Sequence, residues 1–165
     1  MTVTIERESE IPLPFSEQEV AEAVISETLD YEDCPYEVQV NIILTSNDEI
    51  RQINLEQRGI DAPTDVLSFP MIEYAYPSDF TVLEADDISS FDPDTGELIL
   101  GDIVISVDKV IEQAEKYDHG IKREYAFLLA HSMLHLFGYD HMDELERENM
   151  EFKQDEILNR LNITR

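Results

Sequence analysis

The sequence holds four histidines, and three of them, His131, His135 and His141, fall within eleven consecutive residues. His131 and His135 stand four apart in an apolar stretch of helical character, so their side chains leave one helix face a turn apart. Two imidazoles at that spacing can share a single metal ion. Gly138 follows three residues after His135. Glycine tolerates the left-handed conformation that ends helices, so the chain can turn there and bring His141 back toward the same ion. Three neutral nitrogen ligands with a fourth position left to water describe a catalytic zinc-type site. A purely structural site is the competing reading, but such sites usually close with four protein ligands. The sole cysteine, Cys34, is remote in sequence, and Asp140 and Asp102 are the candidates for a fourth ligand. Three unrelated core histidines would each need a separate polar partner, so metal binding is the stronger reading.

The spacing of the three histidines, with glycine after the second, matches the metzincin protease pattern. Those proteases carry glutamate directly after the first histidine as general base. Ser132 stands there in this chain and cannot do that job at neutral pH. The metal cradle without the peptidase base points to a metal-assisted hydrolase of another substrate class, or to another base.

The elements that must hold this site follow from pattern. Lys122–Phe137 is apolar nearly all round, which predicts a central, buried helix carrying His131 and His135. Val3–Glu6, Glu37–Leu44, Asp65–Phe69 and Leu98–Ser106 read as strands. Pro70 stops the third. Ser16 with Glu19 and Ser46 with Glu49 are capping boxes opening helices. Val107–Tyr117 is a further helix. Asp143 with Glu146 opens the last one, with Phe152, Ile157 and Leu161 on its inward face. Residues 71–97 are aperiodic and acidic and read as a long surface loop or insertion. The fold class is therefore α+β, a small mixed sheet packed with helices, in one domain over residues 1–165.

Lys plus Arg is 11 against 38 Asp plus Glu, a net charge of −27. That balance opposes non-specific binding to nucleic acid or anionic membrane. Residues 71–97 alone carry eight acidic and no basic residues. The cations lie elsewhere, among them Arg51, Arg58, Lys109, Lys116, Lys122 and Arg123, so a local neutral or basic groove can persist. No stretch is apolar enough to span a bilayer. Met1–Glu10 has no apolar signal region, and a lone cysteine suits a reducing compartment, so a cytoplasmic location is expected.

Three blocks of the chain resemble a known family. They are Arg58-Gly59 with Pro63–Pro70, then Gly101–Ser106, then His131 with Leu134–Leu136 and Gly138–His141. Met150 and Glu156–Leu158 fit the same family's closing helix. Together the blocks resemble the YbeY proteins, metal-dependent endoribonucleases of ribosomal RNA maturation. The chain departs from the family in having Ser132 where glycine is usual and Gln57 where an aromatic is usual. The resemblance implies zinc between His131, His135 and His141, and single-strand endonuclease action in maturing the ends of small-subunit (16S) ribosomal RNA and in ribosome quality control. It also implies contact with small-subunit components and with a ribosome-assembly GTPase. A non-catalytic assembly factor with a structural metal is the alternative, with a metallohydrolase of another substrate class behind it.

On this reading Arg58 and His131 are the candidate catalytic residues. The Arg58 guanidinium fork suits two phosphate oxygens, although an ion pair with Asp61 or Asp65 would serve structure equally well. Glu124, seven residues before His131, stands on roughly the same helix face and could accept a hydrogen bond from an imidazole N–H. Otherwise it is an exposed charge. His119, beside Gly120, is expected at the surface.

Overall fold

The computed structural model describes residues 1–83 and 88–163. Strand β1 (Thr2–Arg7) is followed by helix α1 (Glu17–Tyr31), β2 (Val38–Thr45), α2 (Asn47–Arg58), β3 (Val66–Pro70), β4 (Leu98–Ser106), α3 (Val107–Lys116), α4 (Ile121–Leu136) and α5 (Glu144–Arg160). The α+β reading holds. The sheet order is β1-β2-β4-β3, with β1, β2 and β4 parallel and β3 antiparallel along β4.

Local chemistry sets the helix starts. Ser16 Oγ accepts the Glu19 N–H at 3.2 Å and Ser46 Oγ that of Glu49 at 3.3 Å. Asp143 does the same for Glu146 at 2.8 Å. Each cap satisfies one of the amide donors a helix leaves open at its first turn. Ser106 ends β4 and caps α3 through the Lys109 N–H at 3.3 Å, so strand passes into helix without a loop.

Strand β4 is buried on both faces. Leu98, Leu100, Ile103 and Ile105 join Val24 and Ile25 of α1 and Leu129 and Met133 of α4 in the main core. Val104 turns to the other face and meets Leu67 of β3 and Ile50 of α2. The inward positions change parity between Leu100 and Ile103 because β4 carries one extra residue against β2 there. Such a bulge redirects the pleat, and its extra residue is Leu100, just before Gly101. Helix α4 is central as its composition predicts, with Leu129, Ala130, Met133 and Leu134 fully buried.

One expectation about packing needs correction. Phe152 does not face inward; it is 60% exposed, and Met150, Gln154, Ile157 and Leu158 form the buried face of α5. The α5 stripe therefore runs one residue off the position that a large aromatic suggests. The acidic run 71–97 lacks long elements, with 3₁₀ turns at Phe80–Leu83 and Ile88–Ser90, and its residues 84–87 lie outside the described ones. Its described part is tied to the core. Ile72 and Leu83 are buried, Phe80 packs edge-on against Phe137, and the Ser78 N–H donates to the Phe137 carbonyl at 2.8 Å. This run thus clamps the C-terminal end of α4. Among the described residues no helix is long and apolar enough to cross a membrane.

Candidate metal centre

Helix α4 ends at Leu136, and Gly138 turns the chain with φ +95°. A Cβ at Gly138 would sit 3.0 Å from the Tyr74 ring, so both the dihedral and the space favour glycine. The turn brings His141 back over the helix. The ring centroids of His131 and His135 are 4.6 Å apart, those of His135 and His141 5.0 Å, and those of His131 and His141 5.5 Å. One nitrogen from each ring lies within 4.8 Å of the others, the arrangement that the sequence spacing predicts.

Two of the rings are oriented from behind. His135 Nδ1 lies 2.9 Å from the Tyr139 carbonyl oxygen. A carbonyl only accepts, so Nδ1 carries the proton and Nε2 presents its lone pair. That Nε2 is 3.1 Å from His131 Nε2. Two nitrogens at ordinary zinc–nitrogen distances and a tetrahedral angle stand about 3.3 Å apart, so the pair fits one ion. His131 Nδ1, on the far side of its ring, meets the Gln154 side-chain amide.

Burial first, then the neighbouring His135 and His141 rings, holds His131 down at a pKa of about 3. Burial and His141 also lower His135, partly offset by the Tyr139 carbonyl. Neutral imidazole is the form that binds a metal ion. Among the described residues neither Asp102 nor Asp140 belongs to the cluster. Asp102 accepts from Asn41 at 3.2 Å on the sheet, and Asp140 accepts the His141 N–H at 2.8 Å. The donor set is three imidazoles, which suits zinc and other divalent transition ions.

The cluster opens on a cavity of about 610 Å³ between α4 and β3, whose rim includes Arg58, Asp65, Ser68, Tyr139, Asp140 and Met142. Arg58 is exposed at the end of α2 and, among the described residues, has no ion pair; Asp61 is taken by Arg51 at 2.6 Å. Asp65 is occupied structurally, accepting from the Val66 N–H at 2.7 Å and from Gln113 at 3.3 Å. One arginine against two aspartates leaves the cavity lining with a single net negative charge on a strongly acidic protein, and a divalent ion would tip it positive. Ser132 is fully buried and bonds Ser68 Oγ of β3. It therefore ties α4 to β3, with its hydroxyl engaged by a serine of the cavity rim.

Two sequence expectations change here. Glu124 is neither exposed nor a partner of a cluster histidine: it is 3% exposed and accepts from His119 at 3.0 Å and from Gln113 at 2.7 Å. His119 is accordingly not a surface residue, its side chain being 8% exposed. The fold brings the α3–α4 turn over Glu124, a contact that helical spacing from His131 does not reveal. Gln154 went unnoticed in the sequence. Its signal is a lone amide on the apolar Met150–Ile157–Leu158 stripe of α5.

Comparison with known proteins places this geometry. A family model described as Endoribonuclease YbeY matches residues 3–162. This chain belongs to the YbeY family. A curated endoribonuclease YbeY of Lachnoclostridium phytofermentans is 56% identical over 165 residues, covering 100% of both chains. That of Agathobacter rectalis is also 56% identical with 100% coverage of both. The solution structure of TM1509 from Thermotoga maritima aligns with a TM-score of 0.56 at 25% identity, covering 98% of this chain and 92% of that one. The relatives' name describes hydrolases acting on RNA, and YbeY membership fits a metal-assisted hydrolase that lacks the peptidase glutamate.

Proposed function

We propose that this chain is a zinc-dependent, single-strand endoribonuclease that matures the ends of small-subunit ribosomal RNA and takes part in ribosome quality control. The observation that carries this reading is the convergence of His131, His135 and His141 on an open cavity beside Arg58, which has no ion pair among the described residues, in a YbeY-family chain. A structural ion would be sealed by a fourth ligand, and no carboxylate or thiol among the described residues joins the three rings.

His131, His135 and His141 would hold the ion. When bound, the ion supplies Lewis acidity and acidified water at neutral pH. The chain's own contributions are positional. The Tyr139 carbonyl and the Gly138 turn hold His135 and His141 in place. Arg58 presents a planar fork to two oxygens of the scissile phosphate and stabilises the negative charge that develops there. The cavity is too nearly neutral to hold RNA by charge alone, so free RNA binds weakly. Docking on small-subunit components and an assembly GTPase in the cytoplasm supplies the targeting.

The test is cleavage of ribosomal RNA by purified protein, with and without a chelator, beside a His135→Ala variant. Cleavage is expected to need the metal and to vanish in the variant. Full activity in His135→Ala would refute the reading. Cleavage unaffected by raised salt would refute the role given to phosphate contacts.

A further inference from the structure

Gln154 reaches from α5 to the back of the histidine cluster and is 1% exposed. Its side-chain nitrogen faces His131 Nδ1, while its carbonyl oxygen Oε1 is buried with no hydrogen-bond partner among the described residues. A buried amide oxygen without a donor carries a desolvation cost that native proteins avoid.

The ring chemistry identifies the missing donor. His131 Nε2 points at His135 Nε2, toward the shared centre. Once Nε2 gives its lone pair to an ion, the neutral ring must carry its proton on Nδ1. Nδ1–H then needs an acceptor, and a half-turn of the Gln154 amide places Oε1 there. The orphaned oxygen and the new donor satisfy each other. The His131 tautomer with its proton on Nε2 suits the other orientation: Nε2–H donates to His135, and the Gln154 N–H donates to Nδ1. The two amide orientations thus correspond to two tautomers of His131, and only one leaves all three rings ready for metal.

We propose that Gln154 is a positioning residue for the metal centre, accepting the His131 Nδ1–H through Oε1 and so fixing the ligand tautomer. His135 takes the same support from the Tyr139 carbonyl, whereas Gln154 is supplied by a separate helix. Docking of α5 on α4 is therefore part of building the site, through Met150, Ile157 and Leu158 around the amide. This inference rests on the three-histidine metal reading.

The test compares zinc affinity, by competition with a chromophoric chelator, in wild-type protein, Gln154→Met and Gln154→Glu. Methionine keeps length and burial but offers no comparable acceptor; glutamate keeps an acceptor oxygen. Gln154→Met should bind zinc about 10- to 100-fold more weakly. Gln154→Glu should stay within a few-fold of wild type or bind more tightly. Urea midpoints of the metal-free proteins check folding independently. Long-range ¹H–¹⁵N spectra of the zinc form should show Nδ1 of His131 protonated, with slower exchange in wild type than in Gln154→Met. Tight zinc binding by wild type with an equal affinity in Gln154→Met overturns the inference alone. No tight zinc binding by wild type overturns the metal reading and this inference with it.

Discussion

Replacing Gly101 by alanine should destabilise the protein severely, although the change adds a single methyl group. Gly101 sits on central strand β4 with φ +150°, a region L side chains rarely adopt. A Cβ there would lie 2.4 Å from the Phe69 carbonyl oxygen and 2.9 Å from Leu136 Cδ2. The Leu136 methyl can rotate away. The Phe69 carbonyl cannot, because it belongs to the backbone of β3, which pairs with β4 from Val66 to Pro70. Restoring a normal carbon–oxygen contact would shift β3 by close to an ångström. Overpacking of this kind costs about 1–3 kcal/mol, and the unfavourable dihedral adds about 1–3 kcal/mol. At about 2–4 °C per kcal/mol for a domain of this size, Tm should fall by roughly 5–20 °C. The assay is thermal and urea unfolding of metal-free protein followed by circular dichroism, with the urea slope checking that the transition stays two-state. All three cluster histidines lie on α4 and the turn after it, so zinc affinity should change far less than stability. A Gly101→Ala protein with wild-type Tm would refute the claim that β3 is pinned against this strand.

Arg58→Ala should lower RNA cleavage by about 100- to 1,000-fold if the guanidinium stabilises charge on the reacting phosphate. Zinc content by elemental analysis should stay unchanged, and Arg58→Lys should recover little because a point charge lacks the two-pronged geometry. Metal-free protein should lose stability as pH falls from about 6.5 toward 3, because the unfolded chain takes up a proton on His131 that the native state refuses until about pH 3. That contribution amounts to about 1.4 kcal/mol per pH unit, and its absence from the difference between wild type and His131→Ala, measured in urea at pH 7 and pH 5, would refute it. Glu124→Leu should cost about 1–3 kcal/mol, since His119 loses its buried acceptor while Gln113 keeps Asp65; a change in stability by urea unfolding under half of that would show the network is not structural.

Much of this protein is written in short stretches of its sequence. The caps at Ser16, Ser46 and Asp143 act within three residues, so they are legible without a fold. The same holds for the turn at Gly138 and for the helical spacing that aligns His131 with His135. The histidine cluster was readable for that reason: its three rings span eleven residues, and one helix and one turn bring them together. What lies far apart along the chain could be settled only by packing. The β1-β2-β4-β3 order depends on which apolar faces find each other across the core, and no local rule encodes it. The acidic run 71–97 reads as a surface loop or insertion by composition, and only the fold shows that Ile72, Phe80 and Leu83 anchor its described part in the core. Phe152 looks like a core residue by type, yet α5 is rotated so that Gln154 takes the inward position. That rotation places an amide against His131 across 23 residues of sequence, and His119 is likewise buried by its contact with Glu124. Side-chain type and spacing determined which atoms could bind a metal; only the docking of α5 and β3 against α4 decided what stands behind those atoms and what space opens in front of them.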